Sequence, residues 1–272
     1  MAGPACKTVV CQPLFRCFPM KPLRLNFLDL PLNAGVTVDS ICELIGKRDE
    51  SHFISFVNPQ SWAMALRQPD YLEGLKQITM VLPDGGSVAY VCRLITRLEC
   101  QRVSFDMSSL AGPFFETLCR DNAGVMLVGG KPGVTEQVSE KLRQRYRGLP
   151  VVGCDDGYGA LDVKVANIMR VNPRVVIIGM GVPYQEKALL ALRQAGFTGI
   201  AITCGGFFDQ YLQSETYYPA WVDRLNLRFA YRIYMEPARL WRRYFIDYQV
   251  FIWRALLGAV TRRADWRIEQ VA

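Results

Sequence analysis

RVVIIGMGVPYQEKALLALRQAGFTGIAITCGG, Arg174–Gly206, decides how the chain is organised. A β-branched run ends at Gly179 and Gly181, turns through Pro183 into a helical pattern, and returns as a second apolar run closed by Gly205 and Gly206. Short strand-like runs separated by longer helix-period segments mark parallel strands joined by crossover helices. The unit recurs upstream. GVMLVGG (124–130) reads as a buried strand, and KPGVTEQVSEKLRQRYRG (131–148) as a helix with Pro132 near its first turn and Gly148 beyond its end. PVVGCDDGYG (150–159) reads as strand and loop, and VKVANIMRVNP (163–173) as a helix stopped by Asn172 and Pro173. Towards the N-terminus, VTVDSICELIGKR (36–48) places Val38, Ile41, Cys42 and Ile45 on one helical face, with Thr37 or Asp39 as its cap. HFISFVNP reads as a strand ending at Asn58, residues 60 to about 76 as one helix, and ITMVLPDGG as a strand running into a glycine turn. SVAYVCRLI and SSLAGPFFETLCRD supply two more helices. The fold class is α/β: a Rossmann-like, largely parallel sheet flanked by helices, whose ligands belong at the carboxyl ends of the strands.

The 272 residues, half of them apolar, suffice for a full core. A formal charge of +7 favours an anionic partner. The nine cysteines form no CxxC pair and lie mostly in apolar segments, which fits small hydrophobes in a reducing compartment rather than a zinc site. The single histidine, His52, precedes a strand and reads as structural. Residues 1–22 carry four prolines and scattered basic residues without the apolar core of a signal peptide, and read as a flexible extension. No stretch reaches the roughly 20 apolar residues of a membrane span. The nearest, Phe245–Val260, is interrupted by Asp247 and Arg254, so it suits the membrane surface better than its interior.

Four turns follow successive strands, and together they define one rim. LPDGGS puts Asp84 and Gly85 at a strand end, where the carboxylate either projects into the cleft or caps the next helix. VGGKPG puts Gly129 and Gly130 beside a helix N-terminus, which suits a phosphate. It lacks the GK[ST] of a P-loop and the GxGxxG of a dinucleotide fold, so triphosphate hydrolysis and hydride transfer lose support. GMGVPYQEK puts Gln185 and Glu186 in the first turn of a helix. Glu186 complements the helix dipole, whereas the Gln185 amide offers donor and acceptor to a sugar hydroxyl or a uracil edge. CGGFFDQ supplies Gly205, Gly206 and, just beyond, Asp209.

After residue 216 the composition becomes aromatic and basic, with ten arginines and no lysine. Arg239 and Arg243 are one helical turn apart, with Arg242 beside them and Arg232 upstream. Arginine without lysine favours bidentate contact with phosphate, and Trp241, Tyr244 and Phe245 favour an interface. No nucleic-acid-binding signature accompanies this charge.

Taken in order, PDGGSVAYVCRL, VMLVGGKPGV, VVGCDDGYG, NPRVVIIGMGVPYQEK, CGGFFD and YPAWVDRLNLRFAYRIYMEPARLWRRYF resemble the WecG/TagA/CpsF glycosyltransferases, family 26, over about residues 24 to 246. The resemblance implies an inverting transfer of a sugar from a UDP-sugar to a polyprenyl-diphosphate-linked saccharide, at the cytoplasmic face of the membrane, in exopolysaccharide or cell-envelope polysaccharide synthesis. It makes Asp84 the general base, places Asn58 in the same pocket and Gln185 near the nucleotide-sugar, and gives the basic C-terminal segment the tasks of completing the site and holding an anionic membrane. Donor contacts then fall to Asn58, Gly85, Gly129, Gly130, Gln185, Glu186, Gly205, Gly206 and Asp209, and the acceptor diphosphate to Arg232, Arg239, Arg242 and Arg243. With no DxD motif to hold a divalent ion, helix N-termini and arginines are expected to stabilise the leaving group, so neither metal nor cofactor is anticipated.

The expected organisation is a flexible extension (1–22), an α/β core (23–216) and a basic aromatic helical appendage (217–272). A homo-oligomer is compatible with it, and a nucleic-acid partner is not expected. The competing reading is a non-catalytic basic α/β protein that binds nucleotide or nucleic acid. The chain departs from the family's blocks at Phe56, where some relatives carry threonine, at Tyr218 in place of arginine and at Arg228 in place of glutamate; within RVSFD, Asp106 still falls near the pocket.

Overall fold

In the computed structural model, residues 23–27, 30–96 and 98–213 are described, with 231, 234, 248–249, 251, 253, 257 and 267–269 beyond them. The expectations for residues 1–22, and for Tyr218, Arg228, Arg232, Arg239, Arg242 and Arg243, lie outside the described residues.

Strands β1 (Leu23–Phe27) and β2 (Leu30–Ala34) form an antiparallel hairpin. Strands β3 (His52–Val57), β4 (Met80–Pro83), β5 (Val125–Gly129), β6 (Val151–Asp155), β7 (Val175–Gly179) and β8 (Ile200–Thr203) build a six-stranded sheet of order β4-β3-β8-β7-β5-β6. Every pairing in it is parallel. The parallel geometry explains the composition: helices cover both faces, so VVIIG and VMLVG are apolar throughout instead of alternating. A last strand, β9 (Arg267–Glu269), pairs with β1, so the C-terminal segment returns to the start of the core.

On one face pack α1 (Val38–Glu43), α5 (Ala111–Arg120), α6 (Val134–Arg145) and α9 (Phe207–Gln213), through Ile41, Phe114, Phe115, Val138 and Phe207. The other face is covered by α2 (Pro59–Arg67), α3 (Pro69–Gln77), α4 (Gly86–Thr96), α7 (Leu161–Val171) and α8 (Tyr184–Gln194), through Trp62, Tyr71, Val88, Ile168 and Leu189. The single helix expected from residue 60 to about 76 is two helices. Pro69 pushes Gln68 into an extended conformation (φ −129°, ψ 92°), which ends α2 and restarts the chain as α3. Of the two candidate caps for α1, Thr37 is the one used, in a reciprocal pair with Ser40.

From β5 the chain passes through α6 to β6 on one side, then crosses back to β7 on the other. The resulting crevice between β5 and β7 is a topological switch point, and it lies at the carboxyl end of the sheet with the four turns. His52 starts β3, at the opposite end of the sheet from these turns, beside Glu50 at 3.2 Å.

Candidate active site

Read along the sheet, the rim carries Asp84 after β4, Asn58 after β3, Gly205 and Gly206 after β8, Gln185 and Glu186 after β7, Gly129 and Gly130 at β5, and Asp155 and Asp156 at β6.

Asp84 is held by backbone on one side and by a hydroxyl on the other. Its N–H donates to the Val57 carbonyl at 2.8 Å, fixing the strand end, and the Ser104 hydroxyl donates to its Oδ1. Ser104 arrives there because the Val103 N–H pairs with the Pro83 carbonyl at 3.1 Å, laying the 102–106 segment beside β4. Among the described residues no N–H of α4 donates to the carboxylate, and the helix's Ala89 N–H goes to the Gly85 carbonyl instead. Of the two sequence readings of Asp84, the structure favours a half-buried rim carboxylate over a helix cap. Asp106 is occupied differently. Arg102 lies 2.6 Å from one of its oxygens and Ser108 donates to the other, so it pins the turn into α5.

Asn58 does two jobs with one amide. Its Oδ1 accepts from the Gln60 and Ser61 N–H groups at 3.0 and 3.2 Å, capping α2. The oxygen is therefore committed, and the Nδ2 donors are what Asn58 has left for a ligand.

The glycine turns also divide their roles. A Cβ at Gly129, where φ is +146°, would lie 2.3 Å from the Gly179 carbonyl oxygen, so β5 and β7 approach as only glycine allows. The Gly130 N–H is taken by that same carbonyl at 3.1 Å, and the Gly130 carbonyl accepts from Gly157 at 2.8 Å. The pair thus contributes close approach rather than free donors; the donors nearby belong to the first turn of α6, which no side chain caps. Gly205 has φ +56° with open space around it, which leaves room in the turn after β8. Asp209 lies exposed in the first turn of α9, a helix of only seven residues.

Gln185 and Glu186 depart most from their expected setting. Both are in the first turn of α8, as the sequence implies, but their side chains turn inward and are only 3% and 2% exposed. The Glu186 Oε1 accepts from the Ser55 hydroxyl and from the Gln185 amide nitrogen, each at 2.9 Å, and Thr203 donates to Ser55 at 3.4 Å. Burial pushes the Glu186 carboxyl up to about 7, against the opposing pull of the Gln185 and Ser55 hydrogen bonds. The buried Tyr71 hydroxyl is raised as well, by burial first and then by the Glu186 charge. Glu186 thus faces the sheet, not solvent.

Sequence reading missed two groups. Ser55, Thr203 and Ser104 carry no motif; the first two show only as polar residues in otherwise apolar strands. The second group is the acidic end of β6: buried Lys164 reaches Asp155 at 3.0 Å and Asp156 at 3.2 Å, and Asn167 donates to Asp155 at 3.3 Å. The Tyr158 N–H and then Lys164 hold the Asp156 carboxyl below its ordinary range. The only available signal was position, since an acidic residue at the end of the second strand of a β-α-β unit is where ribose hydroxyls are read in such folds.

Arg232, Arg239, Arg242 and Arg243 lie outside the described residues. Phe251 from the same segment is buried against Trp62 of α2, ring centroids 5.2 Å apart, while Trp253 and Leu257 are 64% and 59% exposed. Tyr90 and Leu94 on α4 are also exposed. Among the described residues no three His, Cys, Asp or Glu side chains gather as a metal site, and no helix is long and apolar enough to cross a membrane.

Comparison with known proteins gives one consistent result. The family model "Glycosyl transferase WecG/TagA/CpsF family" matches residues 25–265. The chain is 32% identical over 193 residues to the N-acetylglucosaminyldiphosphoundecaprenol N-acetyl-beta-D-mannosaminyltransferase of Bacillus subtilis (strain 168), covering 70% of this chain and 73% of that protein. It is 28% identical over 217 residues to the UDP-Gal:alpha-D-GlcNAc-diphosphoundecaprenol beta-1,4-galactosyltransferase of Shigella boydii, covering 79% and 90%. The mannosaminyltransferase of Bacillus spizizenii (strain ATCC 23059 / NRRL B-14472 / W23) is 27% identical over 226 residues, covering 82% and 86%.

Proposed function

The chain belongs to the WecG/TagA/CpsF family of glycosyl transferases, and from that premise we propose that it transfers a sugar from a UDP-sugar to a polyprenyl-diphosphate-linked saccharide, with inversion and with Asp84 as the base. The observation that carries the residue assignment is the setting of Asp84: a half-buried carboxylate fixed by Val57 and Ser104 at the rim, one strand from the Asn58 amide. In the reaction the acceptor hydroxyl oxygen attacks the anomeric carbon. Its bond forms as the bond to the UDP oxygen breaks on the opposite face, and Asp84 takes the hydroxyl proton. One base is enough for a single inverting displacement.

The departing diphosphate requires positive charge or N–H donors where its charge grows. The uncapped first turn of α6, beside the glycine crevice, offers the donors, and Arg232, Arg239, Arg242 and Arg243 are the proposed cations for this group and for the acceptor's own diphosphate. Asp155 and Asp156, at the end of β6 beside β5, are the proposed acceptors for ribose hydroxyls. In this reading the enzyme is a metal-independent member of family 26 with no cofactor. It works at the cytoplasmic face of the membrane, held to anionic lipid by the C-terminal segment with Trp253 and Leu257, and is open to self-association. Membership of an enzyme family removes the ground for a non-catalytic nucleic-acid-binding role.

The test is release of UDP from a panel of UDP-sugars, supplied with polyprenyl-diphosphate mono- and disaccharides, with and without a chelator. Acceptor-dependent release that persists in chelator and disappears in Asp84→Asn is expected. Full activity in that variant sinks the base assignment, and loss of activity to chelator sinks metal independence.

A further inference from the structure

Among the described residues, exposed large apolar side chains are distributed unevenly. The helices α1, α5, α6 and α9, on one face of the sheet, expose none. On the other face α7 and α8 expose one each, Val163 and Tyr184, whereas α4 exposes two, Tyr90 and Leu94, each to 59%. Scattered single residues need no explanation. Two that are one helical turn apart are neighbours and form a patch.

The rest of α4 does not offset that patch. Its eleven residues, GSVAYVCRLIT, contain one charge, Arg93, and no acidic residue. Val88, Ala89 and Cys92 are buried in the core, while Tyr90, Arg93 and Leu94 face outward. A surface helix facing water carries charged and polar residues on that side. Tyrosine, leucine and arginine together are instead the composition of a membrane interface: a ring with a polar tip, an apolar anchor and a cation for lipid phosphate.

Position points the same way. Phe251, from the segment that exposes Trp253 and Leu257, packs on Trp62 of α2, so the segment proposed to hold lipid is docked on the face that carries α4. Helix α4 starts at Gly86, two residues after Asp84. At a rise of 1.5 Å per residue, Tyr90 and Leu94 lie about 6 and 12 Å along the helix from its start. Contact along α4 therefore keeps the Asp84 end of the rim close to the headgroup layer, where the diphosphate of a lipid-linked acceptor lies.

We propose that the outward face of α4, through Tyr90, Arg93 and Leu94, is a membrane-docking surface of the core itself, lying on an anionic lipid bilayer and turning the Asp84 end of the rim towards the lipid-linked acceptor. The inference rests on the glycosyl-transfer reading above and deepens it, adding to the C-terminal segment a second contact that fixes orientation. A bilayer meets two separate patches without shape complementarity, which a second copy of the chain would have to supply.

The experiment measures partitioning of the full chain onto vesicles of phosphatidylglycerol and phosphatidylcholine by sedimentation, beside UDP release with a short-chain, water-soluble polyprenyl-diphosphate saccharide. Tyr90→Ser combined with Leu94→Ser is expected to weaken partitioning about tenfold or more, from the apolar area no longer buried in lipid, and to leave UDP release with the soluble acceptor at the native rate. Arg93→Gln is expected to weaken it about fivefold on these vesicles and not on phosphatidylcholine alone. Val152→Ser, on β6 at the far edge of the sheet from β4, should partition as the native chain does. Leu94→Trp guards against a serine variant that fails to fold, and should tighten partitioning about threefold or more. Partitioning of the double serine variant within about twofold of native overturns the proposal, as do an equal loss in Val152→Ser and a folded Leu94→Trp protein that binds no tighter. UDP release that falls along with partitioning would place Tyr90 and Leu94 in the site, and native partitioning with loss of a native oligomer would give the surface to a second copy; either overturns it. A native chain that releases UDP but does not partition overturns this inference alone, whereas one that partitions but releases no UDP with any acceptor overturns the glycosyl-transfer reading.

Discussion

The two halves of the rim are made of different material. Around β5 and β7 the walls are backbone: Gly129, Gly130, Gly157 and Gly179 bond to one another or pack so closely that no side chain fits. Around β3, β4 and β8 the walls are side chains: Asp84 with Ser104, Asn58 as a cap, and Glu186 with Ser55 and Gln185. A diphosphate makes the same demand whatever sugar it carries, namely room and N–H donors. Proton transfer and sugar recognition each need a particular group at a particular place. The comparison implies that substitutions on the glycine side disturb shape and stability, whereas those on the side-chain side separate chemistry from binding.

The largest expected effect lies on the side-chain side. Asp84→Asn keeps the volume and an acceptor for Ser104 while removing the basicity, so turnover should fall by about 10²–10⁴-fold. Binding of UDP-sugar should stay near native by calorimetry. Donor binding that collapses along with turnover would mean Asp84 holds the donor instead, and the division between the halves would fail.

On the glycine side, Gly129→Ala forces a Cβ against the Gly179 carbonyl at a backbone angle that L-residues avoid. Overpacking and backbone strain together predict a loss of about 3 kcal/mol in stability. Urea titration measures the loss, and UDP binding should weaken in step with it. A stable Gly129→Ala protein with native UDP affinity would show that the close approach of β5 and β7 is not what shapes the crevice.

The third prediction concerns pH. The folded chain holds the Glu186 proton up to about 7, whereas the unfolded chain releases it near the ordinary glutamate value of 4.5. Below the unfolded value both states are protonated and the group has no effect. As pH rises through the interval the unfolded state is favoured, and about 3 kcal/mol of stability is lost by the time the folded pKa is passed. Glu186→Gln removes this titration. The difference in urea stability between variant and native chain should therefore grow in the variant's favour from pH 4.5 to pH 8. A difference that stays flat would show Glu186 ionised throughout.

The same contrast describes what one sequence discloses. The glycine half was legible because its elements are local: VMLVGG and VVIIGMG announce strand, turn and helix within a few residues. Asp84 and Asn58 were legible as strand-end residues, with the resemblance supplying their roles. The inward turn of Glu186 was not, because Ser55 lies 131 residues away and meets it only after β3 and α8 have packed. A glutamate in a helix's first turn already has a sufficient local reason through the dipole, and that reason concealed the tertiary one. Ser104 was hidden likewise, since it reaches Asp84 by a pairing outside the sheet proper. The helix break at Gln68 was in plain view as a residue preceding proline.

Asn58 gives the smallest expected effect and the finest division, since within the side-chain half its two amide atoms serve different ends. The oxygen serves the fold by capping α2, and the nitrogen is the proposed donor to the ligand. Asn58→Ala removes both and should cost about 1 kcal/mol of stability as well as donor affinity. Asn58→Asp keeps a cap oxygen and adds a charge that the helix dipole favours, so stability should be equal to native or slightly greater. It also replaces the donor with a second carboxylate one strand from Asp84, which should raise the KM for the UDP-sugar. Melting and kinetics on the two variants therefore give opposite orders: alanine is the less stable, and aspartate binds the anionic donor at least as poorly. If aspartate restores native KM along with native stability, the nitrogen has no ligand, and Asn58 belongs to the fold alone.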